Sequence, residues 1–300
     1  MNRKRYMFQR ELPLYLMLIP PLILLLIYSY GPMLGLVMAF QKFEPVIGFF
    51  QSKWVGMDNF VRVFSFPDIK SVIWNTFYIS ILKIIIETVA AILVAIFLNE
   101  VMSKWFKRTV QTIIYFPYFL SWVILGGVLR DILARDGVVN LLVQAMGMKP
   151  VLFLGVAKIF PWVLVITETW QITGFGTIVF LASISSISPT LYEAAAIDGA
   201  GRIKQTWHIT LPGMKSMIIL MITLSMGYVL NAGFDQILML YSPLVYSTGD
   251  VIDTWVYRAG LQQAQYSLGA AVGLMRSAVS FILVVGSYYF AYKVADYRVF

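Results

Sequence analysis

Four ionisable side chains fall where the chain is otherwise apolar: Lys83, Glu87, Glu168 and Arg276. A charge inside a hydrocarbon core is costly, so it is kept where it pairs or meets water. Lys83 and Glu87 stand four apart, hence on one helix face, and read as an ion pair that holds helices together, within the chain or between subunits. Glu168 and Arg276 either pair across helices or face a wet cavity. Trp170, Gln171 and Phe175 follow Glu168, and Asn231 ends a later apolar run. Rings beside amides and charges are the groups that hold a sugar, ring faces taking C–H groups and polar groups taking hydroxyls. The same residue types also serve plain helix packing. We expect Glu168, Trp170, Gln171, Phe175, Asn231 and Arg276 to be the candidates for a substrate pathway.

A second constellation is a polar island between two apolar stretches, at 186–212. Ser188-Pro189 is a helix start: serine caps well, and proline fits the first helical position, where no N–H is needed. The helix that follows contains Ala194-Ala195-Ala196, which favours helix and gives a smooth, close-packing surface. Gly199 and Gly201 are expected to end it, and Pro212 to stand where the next apolar helix begins. The whole reads E-A-A-x3-G-x9-I-x-L-P, through Glu193, Ala194, Ala195, Gly199, Ile209, Leu211 and Pro212, with Asp198 beside Gly199 counted among the loop's candidate residues.

Other chemistry is poorly supplied. The 300 residues include no cysteine and one histidine, His208, which leaves no thiol nucleophile, disulfide or cysteine–histidine metal site. Gly174-Phe175-Gly176 lacks the lysine and the strand–helix context of a phosphate-cradling loop. No metal or cofactor is expected on this chain. An intramembrane enzyme would need a nucleophile–base or metal constellation that these residues do not offer. A secondary transporter would be expected to carry an internal repeat, and neither half has a second copy.

The elements that must position these groups are membrane helices. The chain is 59% hydrophobic and 13% charged, with a mean hydropathy of +0.78, against about a quarter charged in soluble domains. Nearly uncharged runs predict one all-α membrane domain of six spans, at about 12–40, 71–98, 109–129, 159–184, 214–231 and 270–292. The first follows Arg3-Lys4-Arg5 but is too long for a signal-peptide core and lacks a cleavage site, so it is read as a span. Basic residues are denser in the N-terminus, the second and fourth loops and the tail than in the longer opposite loops. That bias places both termini and the 186–212 loop in the cytoplasm. At ~1.5 Å per residue Glu168 then lies roughly 14 Å below the start of its span, and Arg276 roughly 9 Å. No aromatic-interleaved basic stripe suggests nucleic acid.

The 186–212 pattern resembles the EAA loop of the membrane subunits of binding-protein-dependent ABC importers. Similar resemblances to carbohydrate-uptake permeases lie in Tyr15-Leu16-Met17-Leu18-Ile19-Pro20, Trp54-Val55-Gly56-Met57-Asp58-Asn59-Phe60, Val110-Gln111-Thr112-Ile113 and Tyr115-Phe116-Pro117. Three more resemble the polysaccharide-permease (LplB-like) branch: Ile209-Thr210-Leu211-Pro212-Gly213, Asn231-Ala232-Gly233-Phe234-Asp235-Gln236 and Ile252-Asp253-Thr254. The resemblance implies a six-helix permease of the bacterial cytoplasmic membrane supplying half a translocation pathway. It implies a homologous second permease, two ATPase subunits that bind ATP and Mg, and an extracytoplasmic solute-binding protein delivering an oligosaccharide or polysaccharide fragment. The EAA loop would be the docking element for an ATPase.

Overall fold

The computed structural model describes residues 3–295; Arg298, one of the basic tail residues, lies outside them. Among the described residues five helices are long and apolar enough to cross a membrane: Glu11–Phe40, Ile69–Glu100, Phe160–Ser185, Arg202–Met226 and Tyr266–Tyr289. A sixth crossing exists if the bent pair Lys104–Phe119 and Trp122–Ile132 is taken as one span. The chain divides into two compact units, Met1–Ser65 with Val256–Met275, and Phe66–Trp255 with Arg276–Phe300.

In the first unit, the leading helix passes through a π turn at Leu26–Tyr30 and a 3-10 stretch at Gly31–Phe40. Pro32 has no N–H to offer, and the Gly31 N–H reaches back to the Leu26 carbonyl, a wider turn than the α pattern. A short antiparallel hairpin follows, pairing Gln41 with Trp54 and Lys42 with Lys53. Asn59 fixes its base by donating to the Ala39 and Gln41 carbonyls at 2.8 and 2.9 Å. Trp54 stacks on Phe40 with ring centres 5.7 Å apart.

The second unit is organised by Ile69–Glu100 packed along Phe160–Ser185. One buried cluster joins Ile79, Phe160, Leu164, Ile237, Val245 and Val251; another joins Ala91, Ala95, Phe180, Ile184 and Met214. Small residues set the approach. A Cβ on Gly176 would lie 2.8 Å from the Ala91 methyl, and one on Gly174 only 2.6 Å from the Ile114 carbonyl oxygen. Helix backbones meet there because no side chain intervenes. At its start, the Ile69–Glu100 helix holds the 247–255 segment by polar contacts. Asn75 donates to the Ser247 and Asp250 carbonyls, and the Thr76 hydroxyl accepts the Ile252 N–H at 2.9 Å.

Two expected spans need correction. The run at 109–129 is not one straight helix: it turns by 106° between Phe119 and Trp122. Pro117 lies in a 3-10 turn, Leu120 is extended, and Ser121 restarts the helix by accepting the Ile124 N–H at its hydroxyl. The run at 214–231 is a helix that begins earlier, at Arg202, and ends at Met226. Pro212 stands in the first turn of the α-helical part, Leu211–Met226, as expected, but the helix reaches back beyond it to Arg202. A π turn at Thr206–Thr210, with the Leu211 N–H on the Thr206 carbonyl, precedes it and absorbs the missing donor.

The close approach at Gly174 yields a test. Gly174→Val should cost about 1–3 kcal/mol or prevent insertion, because rigid backbone fills the space its side chain needs. Gly127→Ala, in a helix with nothing within 4 Å of the added methyl, should be neutral or stabilising. Thermal unfolding of the two detergent-purified variants, with membrane yield beside it, checks this; equal behaviour would refute the packing account.

Candidate functional site

Lys83 is 4% exposed, and a buried ammonium must place all three of its N–H bonds. It donates to Glu168 Oε2 at 2.5 Å, to the Ala232 carbonyl at 2.8 Å and to Gln236 Oε1 at 2.6 Å. Gln236 is wholly buried and turns its amide nitrogen onto the Leu164 carbonyl, at 2.8 Å, and the Thr167 hydroxyl, at 2.7 Å. One cation thus ties three elements: the second span, the fourth span and the 232–236 segment. The segment is shaped for this. Ala232 and Gly233 both take positive φ, +48° and +82°, which ends helical hydrogen bonding and leaves the Ala232 carbonyl for Lys83. A Cβ on Gly233 would lie 2.6 Å from Lys83 Nζ and 2.7 Å from Glu168 Oε2. Glycine is required there by conformation and by space.

The expected ion pairs change accordingly. Lys83 does not pair with Glu87, although the two share a helix face. Its three donors are taken by groups from other elements, which reach the buried ammonium directly. Glu168 does not pair with Arg276; that guanidinium bonds the Asp253 carboxylate. Burial raises the Asp253 carboxyl above its ordinary range, and the facing Arg276 opposes that shift.

Glu87 instead lines an open-sided cavity of about 310 Å³, walled also by Ser80, Glu168, Tyr228, Asn231 and Gly233. A second cavity of about 400 Å³ adjoins it, sharing Glu87, Ile172, Ser225 and Tyr228 and continuing past Phe175 and Phe180. Ser80, Lys83, Glu87 and Ala91 recur at helical spacing on one face of the second span, and Glu168, Ile172, Phe175 and Val179 do so on the fourth. Those two stripes form the walls. Trp170 falls about 200° round its helix from Glu168, is half exposed and borders neither cavity. Gln171 is also turned away: its amide nitrogen donates to the Leu120 carbonyl at 3.0 Å, inside the bend of the third span. Phe175 remains on the cavity wall and stacks on Tyr118 with ring centres 5.2 Å apart.

At the other end of the fifth-span helix, the 186–212 loop carries the helix Pro189–Ile197. Ser188 occupies the cap position without a capping bond, its hydroxyl lying 2.8 Å from that of Thr190. Helix termination is tighter. The Ala200 N–H reaches the Ala195 carbonyl at 2.8 Å, and the Gly199 N–H reaches Ala196 at 3.0 Å. This closure needs the left-handed residue Gly199, at φ +76°. Gly201 is extended and starts the next helix. The Tyr192 and Thr210 hydroxyls meet at 3.0 Å, and Arg202 bridges to Glu100 at 3.0 Å, so the loop is braced on the spans beside it. Glu193, Ala194, Asp198, Gly199 and Pro212 are exposed, while Ala195, Ile209 and Leu211 are half-buried. The surface also presents Ile197, 87% exposed, with Ile203 and Trp207.

In the sequence Gln236 and Asp253 stand out only within family-like motifs, with no role of their own, and Ser80 and Tyr228 do not stand out at all. Gln236 was findable: an amide three residues after a glycine, at the end of an apolar run, marks a break that needs an internal partner. Among the described residues no cluster of three His, Cys, Asp or Glu could hold a metal ion.

A family model described as "Binding-protein-dependent transport system inner membrane component" matches residues 87–296. The protein LplB of Bacillus subtilis is 40% identical over 95% of this chain and 90% of its own length. The polygalacturonan/rhamnogalacturonan transport system permease protein YteP of the same organism is 39% identical over 95% and 89%. Among solved structures, a chain of a bacterial ABC transporter involved in the import of the acidic polysaccharide alginate superposes with a TM-score of 0.89. It is 37% identical and covers 98% of this chain and 99% of that one.

The Lys83 cluster predicts a rescue pattern. Lys83→Met leaves Glu168 and the buried Gln236 without their cation and should cost about 3 kcal/mol. Adding Glu168→Gln should return a large part of it, since no unpaired charge remains. Thermal midpoints of the purified single and double variants measure both. A double variant no more stable than the single one would show that the pair is not the joint we describe.

Proposed function

Because the chain belongs to the family of binding-protein-dependent transport system inner membrane components, we propose that it forms half of a translocation pathway for an oligosaccharide or polysaccharide fragment. A homologous second permease supplies the other half. Two ATPase subunits hydrolyse ATP with Mg, and an extracytoplasmic binding protein delivers the sugar. The chain lies in the bacterial cytoplasmic membrane with both termini and the 186–212 loop inside. Support for the substrate class comes from relatives: one is named for polygalacturonan and rhamnogalacturonan transport. A neighbouring structure was solved with an alginate pentasaccharide-bound periplasmic protein.

The observation that carries the reading is the loop helix. It is short, rigidly terminated at Gly199 and braced by Tyr192 and Arg202, yet it turns Glu193 and apolar Ile197, Ile203 and Trp207 outward. Bulky apolar side chains held out on a braced loop suit a protein partner. Docked in an ATPase groove, the helix would pass that subunit's movements to the spans.

Gly199→Val should strain the left-handed residue by about 1–2 kcal/mol, and Glu193→Lys should reverse the charge offered to the groove. Both variants should insert and assemble, yet lose binding-protein-stimulated ATP hydrolysis and uptake. Wild-type rates in both would refute coupling through this loop. Orientation is checked separately, since no native cysteine interferes. In intact cells an impermeant thiol reagent should label Ser247→Cys but spare Lys204→Cys until the membrane is opened. The reverse pattern would overturn the topology.

A further inference from the structure

Resting on the saccharide reading above, the inference here concerns the charge of the sugar. The cavity of about 310 Å³ has one cation among its described lining residues, Lys83, and its three N–H bonds are all spent inside the protein, on Glu168, Ala232 and Gln236. Nothing on that ammonium is left for a ligand carboxylate. The unspent groups on the same wall are of the opposite kind. Glu87 borders both cavities and has no cation within pairing distance among the described residues. Asn231 and Tyr228 offer an amide and a phenol. Ser80 is only 4% exposed, yet its hydroxyl is buried without a hydrogen-bond partner while it lines the cavity. A buried hydroxyl is ordinarily satisfied, so an orphan on a cavity wall points to a ligand that completes it.

We propose that this cavity receives uncharged, hydroxyl-rich sugar units and disfavours uronates. Ser80, Asn231 and Glu87 take sugar hydroxyls, while the rings of Tyr228 and Phe175 take C–H faces in the adjoining, more apolar cavity. A uronate carboxylate entering here would meet Glu87 and the already paired Glu168 and find no free cation among the described residues of this wall, and a carboxylate taken out of water without a cation is costly.

The test uses the full importer in cells. A pool of uncharged plant and microbial oligosaccharides and a pool of uronate-containing ones are offered in turn, and depletion from the medium is followed chromatographically. We expect uncharged sugars to be depleted at least tenfold faster. Glu87→Gln should slow uptake of the depleted sugar about tenfold and Ser80→Ala about threefold, with the yield of assembled complex unchanged. Should Glu87→Gln fail to assemble, Ser80→Ala carries the arm, since it removes one oxygen that has no partner in the protein. Comparable or faster depletion of uronates overturns the inference, as does uptake within twofold of wild type in the variants that assemble. Depletion of neither pool, by a complex whose ATP hydrolysis responds to its binding protein, overturns the saccharide reading and this inference with it.

Discussion

A lysine ammonium among apolar helices must have three acceptors, and most of the second unit's architecture follows from supplying them to Lys83. One acceptor is a carboxylate on the fourth span, one a buried amide, and one a backbone carbonyl. A carbonyl inside a helix already accepts a bond from four residues on, whereas one at a break is left wholly to the ammonium. The helix after Met226 supplies such a carbonyl by breaking. The positive φ of Ala232 and Gly233 is the break, and Gly233 also clears the space the ammonium and carboxylate occupy. Irregular backbone at membrane depth is tolerable where protein groups satisfy it. Here the side chains of Lys83 and Gln236 do so.

The same rule accounts for the other departures from straight helix. In the third span, the carbonyl freed at Leu120 is claimed by Gln171, so a glutamine expected to face substrate is committed to holding a bend. Proline has the converse effect, removing a donor instead of freeing an acceptor. Around Pro32 and Pro212 the chain responds by widening a turn to the π form, and it continues without losing the helix. The break at Ala232–Gly233 and the bend after Pro117 redirect the chain, whereas Pro32 and Pro212 leave it helical, so irregularities differ in their consequences for nearby side chains.

These distinctions mark what the sequence made legible. Composition and uncharged runs were enough for an all-helical membrane chain, because twenty apolar residues have few other fates. The loop motif was legible because glycine at position 199 has a local conformational reason, independent of tertiary structure. The ionisable residues inside the spans were recognised as important, but their partners were not. Pairing Lys83 with Glu87 assumed that the nearest charge on the same helix wins. In a buried site the winner is whichever group another element can bring to the ammonium, and helical spacing does not report that. Trp170 and Phe175 show the same limit, as five residues of spacing separate a wall of the cavity from the face opposite it.

One helix joins the two regions. Arg202–Met226 starts in the exposed loop and ends beside Ser225 and Tyr228, which border the cavities. Its 25 residues span roughly 37 Å at 1.5 Å per residue. Near its loop end it is anchored by Thr210 to Tyr192, and Gly213 lets Ile187 pack against its backbone. Beyond its far end stands the break held by Lys83. Fixed to the loop at one end and ended by a break at the other, this helix is the continuous connection between the two regions. Movement of the loop helix would therefore reach Ser225 and Tyr228 as a shift of the cavity wall against the stripe of Ser80 and Glu87. The Lys83 cluster ties the second and fourth spans, which carry the two wall stripes, to each other.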